Sequence, residues 1–350
     1  MRIAHVINTL AGAGAERVAL DVFECFKDYE QEFIIAKNII DYKVDFRPKI
    51  LFDFKKKPFY MPAFLYEKLL LKKLSEVLKG FDVVISHLRD MNTRLCLLKK
   101  QNILKAKLVI VEHVTKEYYS EKELKAVKNV YKYGDVAVGV SEKVAKNLEE
   151  YGAKSIVVIE NAIDSEKIRN LSLEEDIRYS KFTFLSVGRL SEDKDYKTLL
   201  KAFNIANLEA ELIIIGEGSK KKELLNLSKS LKIEDKVKFL GFKENPFPYV
   251  RACDVFVSSS KREAFPMAIL EAMALGKVVV CTDVVPFAKD GFNALVVPKE
   301  DEKAIAEALV KIYKDKSLRN TLAQNAFLFS QSYSKSRFCE KYKNMLHQLA

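Results

Sequence analysis

Short runs of β-branched and other apolar residues recur along the whole chain, and longer stretches of helical pattern separate them. In the first half the runs fall at residues 2–8, 31–36, 82–86, 107–112, 135–140 and 155–160. In the second half they fall at 182–188, 211–216, 236–241, 254–259, 277–282 and 294–298. They are continuous rather than alternating ("KLVIVE", "ELIIIG"), which suits strands covered on both faces of a parallel sheet. Strand–helix alternation then implies right-handed βαβ units. The polar stretch 165–181 carries no strand pattern and separates the two series; beyond about residue 300 the pattern is helical. The expectation is an α/β chain with two facing Rossmann-like, doubly wound domains, 1–165 and 166–330. Such folds bind ligands outside the carboxyl ends of their strands, here in the cleft between the domains.

With 350 residues, the chain is long enough for two such domains. No apolar run approaches the roughly 20 residues of a membrane-spanning helix. The apolar N-terminus breaks at Gly12 and Gly14 and has no small-residue cleavage site, so it reads as a first strand and turn rather than a leader. Five dispersed cysteines (Cys25, Cys96, Cys253, Cys281, Cys339) point to a reducing cytoplasm and against a disulfide frame. His5, His87, His113 and His347 show no metal-ligand spacing, and no metal requirement is expected. The net charge of +11 is uneven: residues 41–80 hold ten Lys or Arg against five Asp or Glu, interleaved with Phe, Tyr and Leu. That segment reads either as a solvated surface helix or as a patch that rests on an anionic membrane. No nucleic-acid-binding signature accompanies the charge.

In "KREAFPMAILEAMALG" (261–276) the residues from Pro266 to Leu275 are apolar except for Glu271. A helix apolar on all sides is a buried one, and a buried Glu needs a partner. Glu263, eight residues earlier, follows a strand and precedes a helix that Pro266 would open. Phe265, Pro266, Met267 and Ala268 frame a helix start, and the backbone N–H groups of Phe265, Met267 and Ala268 could face a phosphate. The two carboxylates could accept from vicinal hydroxyls, which together is the chemistry of a nucleotide sugar. Equally, Glu263 could complement the helix dipole and Glu271 pair with a buried cation. A second stretch, "FLSVGRLSEDK" (184–194), places Arg189 and Lys194 after Gly188 at another strand end, where both could meet a diphosphate.

Taken together, these segments resemble the retaining glycosyltransferases of family 4, which have the GT-B fold. The resemblance spans nearly the whole chain and rests on "VGRLSEDK" (187–194), "IIIGEG" (213–218), "VKFLGF" (237–242) and the E-x7-E of Glu263 and Glu271. Weaker features are "GAGAER" (12–17), "VEH" (111–113), "VGVS" (138–141) and "IENAID" (159–164). The resemblance implies that Glu263 holds donor-sugar hydroxyls and Glu271 the ribose diol. It gives the diphosphate to Arg189, Lys194 and the amides near 265–268, and the nucleobase to the backbone around Phe242. It puts Gly14 near the phosphates and His113 near the donor sugar and reaction centre, with Arg189, Lys194 and Glu263 as the other catalytic candidates. It also implies that the last helix, about 331–350, rejoins the first domain and that the cleft closes during turnover. Departures are Ala13 for a second glycine before Gly14, Ala162 within "IENAID", and Ala264 after Glu263.

The expected activity is transfer of a hexose-type sugar from a UDP-linked donor to a glycan or lipid-linked acceptor. The setting would be assembly of cell-surface polysaccharide, lipooligosaccharide or a glycoprotein glycan, on the cytoplasmic side of a membrane. A nucleotide-sugar epimerase on the same architecture, or a non-catalytic nucleotide-sugar binder, would share these features. His87 is a candidate for acceptor-side lining, whereas His5, inside the first strand, reads as structural. Asp193-Lys194-Asp195 has a metal-binding D-x-D form, but only its lysine is expected to matter. "GEG" at 216–218 lacks the third glycine of a dinucleotide fingerprint.

Overall fold

The computed structural model describes residues 1–11, 14–54 and 61–349. Its strands are β1 (Arg2–Ile7), β2 (Glu30–Lys37), β3 (Lys49–Phe52), β4 (Val83–His87), β5 (Lys107–Glu112), β6 (Val136–Gly139) and β7 (Ile156–Val158). They continue with β8 (Phe182–Val187), β9 (Ala210–Ile215), β10 (Val237–Gly241), β11 (Val255–Ser258), β12 (Val278–Thr282) and β13 (Leu295–Val297). Two sheets result, ordered β3-β2-β1-β4-β5-β6-β7 and β10-β9-β8-β11-β12-β13, and their strand pairs are parallel. The burial explains the unbroken apolar runs: every residue of β4 and β9 is buried.

The chain divides into two compact units, one of residues 1–161 plus the C-terminal segment from Lys335, the other Ala162–Ser334. In the second unit the helices Tyr196–Ala206 and Glu302–Lys314 bury Leu199, Leu200, Phe203, Ile305, Leu309 and Ile312 against Phe184, Leu212, Ile214, Val255 and Val280. Strand order reverses beside β1 and β4 in one sheet and beside β8 and β11 in the other. The loops leaving two such neighbouring strands go to opposite faces, so a crevice opens at their carboxyl ends. In the second unit those loops are 188–195 and 259–266, the two stretches singled out by their charges.

Three readings of the sequence need correction. The basic segment holds a strand that periodicity did not reveal: "KILF" is only four residues long, yet β3 pairs with β2 through Ile34, Ile35 and Lys37. Its described part also holds the helix Ala63–Val77, whose Tyr66, Leu70 and Leu74 are buried while Phe64 stays 75% exposed; Lys55 to Tyr60 lie outside the described residues. Second, Pro266 caps the helix Met267–Ala274 from outside rather than opening it.

Third, Cys25 and Cys339 form a disulfide across 314 residues of sequence, so the cysteines are not all independent thiols. The helix Lys335–Leu349 packs on Gly14–Cys25, and this long-range contact, invisible in the spacing, brings the two sulfurs together. Lys335 also pairs with Asp21 and Glu24, and Lys343 with Asp28. Cys96, Cys253 and Cys281 are free and buried. No helix among the described residues is long and apolar enough to cross a membrane.

Candidate active site

The loop after β8 is held rigidly by its neighbours. Gly188 N–H donates to Ile215 O (3.0 Å), Leu190 N–H to Glu217 O (2.9 Å), and Gly216 N–H to Gly241 O (2.8 Å). The glycines of "GEG" serve this contact: a Cβ on Gly216 (φ +144°) would lie 2.0 Å from Gly188 O, and one on Gly218 2.3 Å from Leu190 O. They let three strand ends approach one another, a packing role rather than a fingerprint for a dinucleotide.

The same loop interlocks with the one after β11. Ser259 Oγ donates to the carbonyls of Lys194 (2.9 Å) and Asp195 (3.0 Å), and Lys261 N–H donates to Asp193 O (2.7 Å). Asp193 accepts from Arg262 Nε at 2.8 Å; Asp195, in the left-handed region at φ +46°, caps Tyr196–Ala206 through Thr198. Both aspartates of the D-x-D form are thus occupied by protein groups. Among the described residues no cluster of three or more His, Cys, Asp or Glu is arranged to hold a metal ion.

Between these loops, Lys194 Nζ lies 2.5 Å from Glu263 Oε1, and Ser260 Oγ donates to the same oxygen at 2.7 Å. Glu263 is 7% exposed and Ser260 wholly buried. Ser260 is itself held by Thr282, whose hydroxyl donates to its carbonyl at 2.6 Å. Lys194, Ser260 and Glu263 line one pocket with Pro266, Met267 and Ala268, the start of a helix that no side chain caps. Its first N–H groups have no intrahelical acceptor, so cation, helix terminus and carboxylate meet in one concavity suited to an anion bearing hydroxyls.

Other candidates stand apart from that pocket. Arg189 is exposed at its edge of the loop, with no ion-pair partner among the described residues. The Phe265 ring belongs to an aromatic cluster with Phe287 (5.1 Å) and Tyr333 (5.6 Å), so any ligand role falls to its backbone. Glu271 is buried on the helix without lining the pocket. Phe242, just after β10, is 71% exposed. Ser260 and Tyr196 were not foreseen. Tyr196 is buried, its hydroxyl 3.3 Å from Gly188 O and its phenol pKa raised by burial. The sequence signal for Ser260 was three serines in a row closing an apolar strand.

In the first unit, Gly14 opens the helix Gly14–Cys25 and is exposed; Gly12 and Ala13 lie outside the described residues. His113 follows β5 and is 8% exposed; its Nε2 lies 3.2 Å from Nδ1 of His87, which is wholly buried and lines no surface. Burial pushes the His113 pKa down to about 3, and burial, then His113 and His5, hold His87 well below the usual histidine range. Glu112 is wholly buried; it accepts from Tyr131 Oη (2.7 Å) and the N–H groups of His113 (3.0 Å) and Val114 (3.4 Å). Burial raises its pKa, against those hydrogen bonds.

Two parallel-sheet units of this kind in one chain are the architecture of the GT-B glycosyltransferases. Family models cover both: residues 3–167 match "Glycosyltransferase Family 4" and residues 167–329 match "Glycosyl transferases group 1". A curated relative in Campylobacter jejuni is 30% identical over 95% of this chain and 96% of its own. It is N-acetylgalactosamine-N,N'-diacetylbacillosaminyl-diphospho-undecaprenol 4-alpha-N-acetylgalactosaminyltransferase. Among solved structures, Anabaena HepE in complex with UDP-glucose superposes with a TM-score of 0.82, at 20% identity over 99% of this chain and all of that one. The lipopolysaccharide outer core galactosyltransferase WaaB superposes at 0.80, with 19% identity and full coverage of both chains. The chain belongs to family 4 of the glycosyltransferases.

Proposed function

We propose that this glycosyltransferase moves a hexose-type sugar from a UDP-linked donor to a glycan or lipid-linked acceptor, with retention at the anomeric carbon. The observation that carries the reading is the pocket where Lys194 and Glu263 meet the uncapped start of Met267–Ala274. In it the donor diphosphate lies against Lys194 and the helix amides, with Arg189 beside it, while Glu263 accepts from sugar hydroxyls. Glu271 takes the ribose diol, the backbone near Phe242 the base, and Gly14 and His113 contribute from the first unit. Charge builds on the diphosphate as the glycosidic bond lengthens, and fixed donors aimed at it lower the barrier. Asp193 and Asp195 are engaged elsewhere, so the reaction proceeds without a metal, and chelator leaves the rate unchanged. The Campylobacter relative's name describes a diphospho-undecaprenol acceptor, and HepE was crystallised with UDP-glucose; both support this class of donor and acceptor. Surface polysaccharide, lipooligosaccharide or glycoprotein-glycan assembly is the setting we infer.

The test is UDP release from UDP-sugars with and without acceptor. Release that depends on acceptor supports transfer; sugar altered without acceptor indicates an epimerase, and binding without turnover a non-catalytic protein. An inverted anomeric configuration in the product's NMR spectrum would overturn retention.

The helix Ala63–Val77 presents Phe64, Leu65, Lys68 and Lys72 outward, apolar beside cationic, as a helix lying on an anionic bilayer does. We place the enzyme peripherally on the cytoplasmic membrane face by this helix. Flotation with anionic vesicles at low salt, lost at high salt, is the expected result; no flotation at low salt refutes it. Alkylation before isolation reports whether Cys25 and Cys339 are bonded or free at that location.

A further inference from the structure

The His87–His113 contact contains a choice of proton position. The two ring nitrogens lie 3.2 Å apart in the interior, so one ring donates and the other accepts. Suppose His113 donated from Nε2. The neutral His87 ring would then accept at Nδ1 and carry its own proton on Nε2. That nitrogen is buried without a partner, and an orphaned buried N–H is rarer and costlier than a bare acceptor. With the proton on Nδ1, His87 donates to His113 and leaves only a lone pair unpartnered.

We infer that His87 is a positioning residue: it donates Nδ1–H to His113 Nε2 and so fixes His113 as the Nδ1–H tautomer, a neutral hydrogen-bond donor toward a substrate oxygen. The depressed pKa values of both rings agree with two neutral imidazoles. His113 Nε2, its only accepting nitrogen, is consumed by His87, so His113 cannot serve as a general base. The backbone is fixed as well. Glu112 holds the amides of His113 and Val114, and Leu88, directly after His87, is in the left-handed region at φ +68°, strained for a residue with a Cβ. This inference rests on the proposed placement of His113 at the substrate.

The tautomer can be read without activity. The chain has four histidines, so long-range 1H–15N correlation on the full, 15N-histidine-labelled protein at pH 7 resolves each ring. His87 and His113 should both be protonated at Nδ1, and in His87→Leu His113 should revert to the Nε2–H form favoured by a free imidazole. His87→Leu should lose about 10- to 100-fold in kcat with little change in donor KM, the range for a partner that orients a site group. His87→Asn, whose amide can still donate, should keep the His113 pattern and recover most of that loss. An Nε2-protonated His113 in the wild type overturns the inference, as does a His113 pattern indifferent to His87→Leu. If the pattern is as expected but His113→Ala keeps full kcat, the tautomer stands and the substrate role of His113 falls.

Discussion

Acid should destabilise this chain through its buried histidines. His5 sits in the middle of β1 with both ring nitrogens buried, outside full hydrogen-bond geometry with the neighbouring Gln31 side chain, its ring 5.1 Å from Phe23 and 6.1 Å from Phe33. Burial lowers its pKa from 6.5 to about 3, and that of His113 equally. The folded pKa lies below the unfolded one, so the neutral rings' contribution is complete above about pH 6.5 and is lost as pH falls toward 3. At pH 5 each unfolded histidine has gained most of a proton that the folded one refuses, worth about 2 kcal/mol per group, or about 4 kcal/mol for the pair. His87 is shifted in the same direction. Glu112, Asp21 and Asp195 oppose it, because burial raises their pKa values and protonation relieves them.

The opposing terms cancel in a comparison with His5→Leu, which removes one buried base and fills its site with an apolar group. Urea melts followed by circular dichroism at pH 7, 6 and 5 give the difference between variant and wild type. It should move in the variant's favour by about 2 kcal/mol over that interval. If the units unfold in separate steps, the whole effect belongs to the transition of the first. A difference that stays constant with pH to within about 0.5 kcal/mol would show that His5 does not titrate as its burial demands, and the reasoning fails.

Unfolded without reductant, the protein should titrate three thiols, Cys96, Cys253 and Cys281, and five after reduction. Cys339→Ser should lower stability by about 2–5 kcal/mol, given the long loop the bond closes; five thiols without reductant would remove the basis for this. Lys194→Ala should cost about 100-fold in kcat, on the scale of losing one donor at a developing charge, and retention of wild-type kcat would contradict the proposed diphosphate contact. Gly216→Ala places a methyl 2.0 Å from Gly188 O, so the loop must move; donor-induced thermal stabilisation should be lost, and an unchanged shift would mean the loop tolerates it.

The strands were legible because burial on both faces leaves few polar residues in them: β9 is apolar except for Glu211, and β4 except for Ser86 and His87 at its end. Where a strand is short, as Lys49–Phe52 is, four residues among charged neighbours carry no periodic signal, and only pairing with β2 defines it. The site was legible as segments but not as contacts. Charges at 189, 194, 263 and 271 marked two strand ends, yet nothing in the spacing ties Lys194 to Glu263, 69 residues away, or Cys25 to Cys339. The helix that carries Glu271 is as buried as its apolar composition demands.

A partly buried ion pair such as Lys194–Glu263 adds little net stability, because desolvation offsets much of the attraction. Its meaning lies in geometry. Lys194 and Ser260 both bond to Oε1 of Glu263, and the loops that carry them are joined by Ser259, Lys261 and Arg262. The carboxylate is therefore oriented before any ligand arrives; in the proposed site this leaves Oε2 for a sugar hydroxyl and further Lys194 N–H groups for a phosphate. In the proposed reaction little reorganisation would then remain as charge develops on the diphosphate, the condition under which fixed donors are most effective. Ser260→Ala would leave Lys194 and Glu263 in place but free the carboxylate to rotate. A loss in kcat exceeding the loss in stability, restored by Ser260→Thr, would separate orientation from folding.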